Sequence, residues 1–300
     1  MRIRDLGEFD LIERISGRVK LSSRVVKGIG DDAAVLSYKK DKYLLFTSDM
    51  LVEGRHFCRR SGGYLIGKKS LSVNVSDIAA MGGIPLSAVI SLGVPGSLGL
   101  KYADELYRGI RAVAKRFKID LVGGDTVSSE KIIINIALLG EVEKKNLVLR
   151  SGARKGDLVF LTGAIGGSSK GRHLGFTPRL KEARFLAKNF RVHSMIDVSD
   201  GLLADLGHIL ESSRVRGAVI HEDDIPVSKA AKDFNSAVIE GEDFELVFTV
   251  SRDEAKTLMQ SWPFKTRLSR IGEVCRAKGL YLVRKTGKKA KVGPLGYTHF

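Results

Sequence analysis

Apolar positions recur along the chain at two spacings, and these divide it into strands and helices. Residues 43–48 (YLLFTS) predict a buried strand running into Asp49. Across 67–81, Leu71, Val75, Ile78 and Ala79 fall on one helical face. Ser70, Asn74 and Asp77 fall on a neighbouring polar face, so Asp77 is expected to project away from the core. Met81-Gly82-Gly83 and Pro85 end this helix. Residues 87–94 read as a strand before the turn Pro95-Gly96. Residues 101–118 read as an amphipathic helix with Leu106, Ile110, Val113, Ala114 and Phe117 as its stripe. Asp120-Leu121-Val122 predicts a short strand broken by Gly123-Gly124. Residues 132–139 are almost wholly apolar and predict a buried strand.

The polar, glycine-punctuated stretch 140–156 (GEVEKKNLVLRSGARKG) predicts a boundary, giving domains over 1–145 and 146–300. The second half opens with a strand over 157–163 and the glycine- and serine-rich AIGGSSKG. A strand over 195–198 follows. Ser199 is placed to cap a helix with Asp200 in its first turn, and Leu202, Leu203, Leu206, Ile209 and Leu210 give that helix its buried face. Residues 244–250 predict a strand directly after Gly241-Glu242-Asp243, and 253–261 a short helix. LYLV (280–283) leads into an exposed basic hairpin, RKTGKKAKVG. Strands and helices mix without strict βαβ alternation, so the expected fold class is mixed α/β (α+β) in two domains.

Composition narrows this picture only slightly. Three hundred residues, 43% of them hydrophobic, suffice for two ordinary cores. The N-terminus has acids among its apolar residues and does not read as a signal peptide, and no apolar run is long enough to span a bilayer. Cys58 and Cys275 lie far apart without a CxxC partner, which fits a reducing, cytoplasmic setting. Fifty Lys and Arg against 34 Asp and Glu give a net charge of +16. The basic residues are spread out, without interleaved aromatics or a nucleic-acid motif, so a solvated surface is the simpler reading and nucleic acid is not an expected partner.

The candidate chemistry lies in the acids. Asp31 and Asp32 follow a glycine turn in GIGDDAAV. Asp49 ends TSD after Thr47 and Ser48. Asp77 is in NVSDIAA, Asp125 in LVGGDTV, and Asp197 and Asp200 in IDVSDGLLADL. Each motif has an ordinary explanation as a turn, strand exit or cap. Taken together they form a set that, if it converges, cannot all stay ionised without counter-charge. Hard divalent cations with oxygen ligands supply that charge, and magnesium shared with phosphates is the commonest biological form. AIGGSSKG lacks the Walker spacing and reads as a mobile turn. His56 stands alone, with no His–Asp–Ser arrangement around it.

The ordered motifs GIGDDAAV, TSDMLVEGRHF, KSLSVNVSDIAAMGG, LVGGDTV, RSGARKGD, IDVSDGLLADLGHI and GEDFELVFTV resemble the thiamine-monophosphate kinase family. That family lies within the aminoimidazole ribonucleotide synthetase-like superfamily, and the resemblance runs from about Asp5 to the final GYTHF. It implies ATP-dependent phosphorylation of thiamine monophosphate to thiamine diphosphate, several magnesium ions, two mixed α/β domains and a homodimer paired through the N-terminal domains. By position, it implies that Asp32, Thr47, Ser48, Asp49, Asp77, Asp125, Asp197 and Asp200 hold magnesium. Tyr107, Gly124, Asp125, Arg150 and Ser199 would lie around ATP, and His56, Glu242 and Tyr297 around the thiamine substrate. The acceptor, a phosphate monoester, would need no general base. Two segments depart from the family pattern: Glu240 before Gly241, and HLGFTPRLKEA (173–183). The purine-synthesis synthetases lack the GEDFEL and GRHF contexts. Selenophosphate synthetases need a reactive residue near the first glycine loop, and the hydrogenase-maturation dehydratases need a C-terminal cysteine.

Overall fold

A computed structural model describes residues 2–299. Helices α1 (Ile3–Leu6) and α2 (Glu8–Ser16) open the chain. The first sheet comprises β1 (Val25–Lys27), β2 (Ala34–Ser37), β3 (Lys42–Val52), β4 (Ile84–Val94), β5 (Asp120–Ser128) and β6 (Ile133–Glu143). Their order is β1-β2-β3-β6-β4-β5, and β4–β5 is the parallel pair. Helices α3 (Gly63–Ala80) and α4 (Leu100–Phe117) cover one face of this sheet. They approach closely because Gly67 and Gly109 face each other's helices. A Cβ on Gly67 would lie 1.9 Å from the Leu106 oxygen, and one on Gly109 would lie 2.1 Å from the Tyr64 oxygen.

The second sheet comprises β7 (Leu158–Thr162), β8 (Val192–Asp197), β9 (Gly217–His221), β10 (Leu246–Val250), β11 (Leu268–Cys275), β12 (Gly279–Val283) and β13 (Lys289–Val292). Its order is β13-β12-β9-β11-β7-β10-β8. Helices α6 (Leu202–Ser212) and α7 (Phe234–Ile239) pack on one face, and α5 (Leu180–Asn189) and α8 (Arg252–Ser261) on the other. This sandwiching explains why every residue of β7 and β10 is buried. In the first sheet only the α3/α4 side is covered, and burial therefore alternates along β6.

Several strands differ from the sequence expectation, for tertiary reasons. β3 does not end at Asp49. It pairs with β6 along its whole length, from Lys42↔Glu143 to Val52↔Ile133, and carries Asp49 mid-strand. Gly123-Gly124 do not break β5, because parallel pairing with β4 carries the strand through both. Residues 133–143 are buried on one face only: Ile134, Ile136 and Leu138 point to the helices while Leu139 is exposed. Burying each of those three side chains contributes on the order of 1.5–3 kcal/mol. Ser199 does not cap α6. That helix starts at Leu202, and the Asp205 carboxylate accepts the N–H groups of Asp200 and Gly201, each at 3.1 Å.

The most consequential difference concerns α3. Its polar face does not meet solvent. Ser70, Asn74 and Ser76 are buried, and Ala79 and Ala80 belong to a cluster that includes Leu158, Phe160 and Met195 of the second domain. The helix is therefore the beam on which both domains rest, and its polar side lines the space between them.

Candidate active site

Strand alternation decides which side chains of β3 reach this space. Thr47 and Asp49 point towards α3. Thr47 Oγ1 donates to Asp77 Oδ2 at 2.5 Å, and the Asp49 N–H donates to Asn74 Oδ1 at 3.2 Å. Asp197 arrives from the last position of β8, where Ser76 Oγ donates to its Oδ2 at 2.5 Å. Asp32 comes from the glycine turn before β2. The Arg150 guanidinium donates to its Oδ1 from Nη2 at 2.6 Å and from Nε at 3.1 Å. Asp31 turns away and accepts the backbone N–H of Arg150. Asp32, Asp49, Asp77 and Asp197 thus converge from four elements of two domains.

Their electrostatics are those of carboxylates short of counter-charge. Burial holds Asp49 up to about 6 and Asp197 up to about 8, and the Asp32 carboxylate adds to both shifts. Asp77 stands well above the ordinary carboxylate range, through burial first and then through Asp49, Asp197 and Asp32. Arg150 is the cation paired directly with this group, through Asp32. Asp32 Oδ2 and Asp49 Oδ2 are buried without a hydrogen-bond partner among the described residues. An orphaned buried carboxylate oxygen is costly. All-oxygen donors with unmet lone pairs fit a hard divalent cation, so the residues present suit magnesium.

A second acidic group adjoins the first. Ligand atoms of Asp200, Asp205 and His208 all lie within 4.8 Å of one another, and the buried Asp205 Oδ1 has no hydrogen-bond partner among the described residues. Asp205 and His208 escaped the sequence reading. Their spacing from Leu202 on the same helix places them beside Asp200 once the capping turn closes, and in sequence Asp205 looks like any polar residue on an amphipathic helix.

Not every expected residue joins the pocket. Ser48 points to the opposite face of the sheet, where its hydroxyl donates to Asn135 Oδ1 at 3.1 Å. Asp125 lies on the exposed edge strand β5, three strand steps from Asp49 or about 14 Å at the usual interstrand spacing. Gly124 sits beside it against β4, where a Cβ would lie 1.8 Å from the Ile90 oxygen. Tyr107 packs at the margin of the first core on α4. Ser199 lies in the turn after β8, and its carbonyl accepts the Glu242 N–H at 2.7 Å.

His56, Glu242 and Tyr297 gather beside the aspartates. The His56 ring lies 5.2 Å from His299, which lies 5.1 Å from Tyr297. The C-terminal segment is held there by the Tyr297 N–H on the Asp200 oxygen, 2.8 Å, and by the His299 N–H on Glu8 Oε2, 2.9 Å. Glu242 adopts a left-handed backbone, φ 64°, unusual for a residue with a side chain. Lys69, missed in sequence, is fully buried at the centre of this group. Its signal was available: 69, 73 and 77 share a helical face, so a lysine lies two turns before Asp77.

The AIGGSSKG loop is not a mobile turn. Asp243 accepts the Gly166 N–H on both oxygens, 2.8 and 2.9 Å, and the Arg172 guanidinium at 2.9 Å. Glu245 accepts Arg179 Nε at 2.6 Å and Thr162 Oγ1 at 2.8 Å. Glu240, the departure noted in sequence, takes the Gly167 N–H at 3.2 Å. The amides of the loop's two adjacent glycines are thus satisfied by the chain's own carboxylates.

Two mixed domains joined by a shared helix, with aspartates gathered at the junction, define an AIR synthase related protein. Residues 30–142 match the AIR synthase related N-terminal domain and residues 154–285 the C-terminal domain. The chain belongs to the thiamine-monophosphate kinase family. It is 36% identical to the Rhodopirellula baltica thiamine-monophosphate kinase over 97% of both chains. It is 35% identical to the Bacillus subtilis one over 98% of this chain and all of that one. Among solved structures it is similar to AaThiL complexed with AMPPCP and TMP, with TM-score 0.86 and 34% identity over 100% of this chain and 99% of that chain. The thiamine monophosphate kinase of Stenotrophomonas maltophilia aligns with TM-score 0.75 and 31% identity over 95% and 98%.

Proposed function

We propose that this kinase transfers phosphoryl directly and in line from ATP to the phosphate of thiamine monophosphate, with magnesium held by Asp32, Asp49, Asp77 and Asp197 and by the adjoining Asp200. The activity itself, ATP-dependent formation of thiamine diphosphate, is that of the family. The observation that carries the metal reading is the cluster of four junctional aspartates with its orphaned oxygens. Bound magnesium supplies counter-charge to two polyanions and to the oxygens of the moving phosphoryl group.

The chain's own part is placement. Thr47 and Ser76 orient Asp77 and Asp197 by hydrogen bonds, and Asn74 fixes the backbone at Asp49. Arg150 orients Asp32, and its guanidinium would pair with the phosphates of ATP. The second pKa of a phosphate monoester is about 6, so the acceptor is largely dianionic at neutral pH and no side chain need remove a proton. Proximity and alignment of the reactants then carry the acceleration. His56, Glu242 and Tyr297 are read as the thiamine side of the pocket, and Ser199 as part of the ATP side.

Residues 1–145 are taken as the metal, ATP and pairing domain, and 146–300 as the second domain. The outer face of the first sheet supports a homodimer. Phe46, Met50, Val89 and Leu139 are exposed there, with Val122 and Val127 on the edge strand. A contiguous apolar face of this kind is a pairing surface. Ser48 and Asp125 share the register rows of that face, so their roles, and those of Gly124 and Tyr107 towards nucleotide, are read in the paired state. Among the described residues no helix is long and apolar enough to cross a membrane, which fits a cytoplasmic enzyme. The test is ADP release from ATP across a magnesium titration, with and without thiamine monophosphate, and with aminoimidazole-pathway substrate and selenide as controls. Release that requires both magnesium and thiamine monophosphate is expected. Equal release with either control substrate would overturn the reading.

A further inference from the structure

Lys69 is among the largest fully buried side chains of the described residues, and it is a charged one. An ammonium has three donors and no acceptor. All three are engaged: by Glu242 Oε1, by the His56 carbonyl at 2.7 Å and by His173 Nδ1 at 2.6 Å. Glu242 and His173 belong to the second domain, and His56 to the loop after β3. The lysine therefore ties both sides of the junction at one point.

This geometry fixes two tautomers. His173 Nδ1 lies 2.6 Å from the Lys69 ammonium and 3.1 Å from Glu242 Oε2; the closer contact, with a group that can only donate, makes it an acceptor and places its proton on Nε2. His56 Nδ1 accepts the Val52 N–H at 2.9 Å, so its proton also sits on Nε2. Burial holds both imidazoles down to about 4, with Lys69 the next cause in each, so both are neutral at physiological pH. The charges of Lys69 and Glu242 cancel. The result is a patch without net charge, which tolerates a substrate whose thiazolium ring is a permanent cation and leaves the imidazole N–H groups for that substrate's oxygen or nitrogen acceptors. An imidazolium there would repel it.

We propose that Lys69 is a positioning residue for the phosphoryl acceptor: its ammonium locks Glu242, His173 and the His56 loop across the domain junction so that both imidazoles offer Nε2–H to the thiamine substrate. This rests on reading His56 and Glu242 as the thiamine side of the pocket. A purely structural bolt makes a different prediction, because its loss would weaken ATP and thiamine monophosphate alike.

Lys69→Met keeps the length and removes the charge. It is expected to raise KM for thiamine monophosphate about tenfold, the scale of one charged hydrogen bond, while KM for ATP stays within about twofold. The double variant with Glu242→Gln should lose less than the sum of the two singles. The groups facing His173 are Lys69, Glu242 and His56. Without the lysine, Glu242 favours the imidazolium, so the His173 ionisation seen in kcat/KM for thiamine monophosphate should move to higher pH than in the wild type. An equal rise in both KM values, or none in either, overturns the proposal. Nitrogen-15 NMR of histidine in the wild-type protein decides independently if Lys69→Met does not fold. Nε2–H tautomers for both His56 and His173 at pH 7 are expected, and a Nδ1 proton or an imidazolium on His173 overturns it. Wild-type protein without thiamine-monophosphate-dependent ADP release would sink the functional reading instead, leaving the tautomer result to stand alone.

Discussion

The molecule buries carboxylates in two places and treats them in opposite ways. In the second domain, Asp243 and Glu245 are almost fully buried, yet Arg172, Arg179, Thr162 and the Gly166 amide meet their oxygens. At the domain junction, Asp32, Asp49, Asp77 and Asp197 share one arginine, and two of their oxygens have no hydrogen-bond partner among the described residues. The first arrangement is a finished structural latch that pins the 163–179 segment to the turn leading into β10. The second is incomplete as protein alone, and incompleteness of this kind marks a place where a ligand supplies the missing charge.

Removing one acid from the junction should separate function from folding most sharply. Asp77→Asn is expected to lower kcat by about a thousandfold or more, the scale of losing a preorganised electrostatic contact. Its melting temperature should hold or rise, because a carboxyl crowded by three others is relieved of its charge. Steady-state kinetics alongside calorimetry reads both, and near-normal turnover would contradict the assigned role. The latch should respond in the reverse sense. Arg179→Ala leaves the buried Glu245 anion with Thr162 and the more distant Arg172, 3.5 Å away, and should destabilise by about 3 kcal/mol, the low end for breaking a buried pair. Denaturant unfolding measures this, and the folded fraction should keep most of its turnover.

The two regions also differ in how legible they were. The four acids of the junction could be picked out because they sit in short motifs such as GIGDDAAV, TSD, NVSDIAA and IDVSDGL, and α4 because its stripe is regular. The latch could not be seen, since Arg172, Arg179 and Glu245 meet only through the fold of the second sheet. Likewise, the lengths of β3 and β5 depend on pairing partners distant in sequence, which local patterning at Thr47-Ser48-Asp49 and Gly123-Gly124 cannot express. Lys69 was passed over because a single lysine in a helix normally reaches solvent, and only the packing of a second domain on α3 buries it. The basic hairpin at 284–293 was legible from its strand-turn pattern alone.

A smaller effect sharpens the same contrast. Asp49 and Asp197 have folded-state pKa values of about 6 and about 8, above their unfolded values. Their contribution to stability is therefore full below about pH 4, near the unfolded carboxylate value, and is lost as pH rises through 6 and then 8. In chelator, the melting temperature should fall from pH 5 to pH 8.5. Magnesium favours the ionised forms and should flatten or reverse that slope. A melting temperature that climbs over this range in chelator would contradict the crowding of these acids. The smallest effect is expected at Ser48→Ala, whose hydroxyl faces the outer side of the sheet. Read in the paired state, it should raise the magnesium needed for half-maximal turnover by no more than about threefold, while sedimentation reports whether pairing through that face is disturbed.

The central claim is the proposal that the junctional aspartates hold magnesium. Electron paramagnetic resonance of Mn2+ binding, in the presence of a non-hydrolysable ATP analogue and thiamine monophosphate, tests it most directly. Wild-type protein should take up Mn2+ in a saturable titration, and Asp49→Asn and Asp77→Asn should each lower its stoichiometry or affinity. Superimposable titrations for all three proteins would contradict the account.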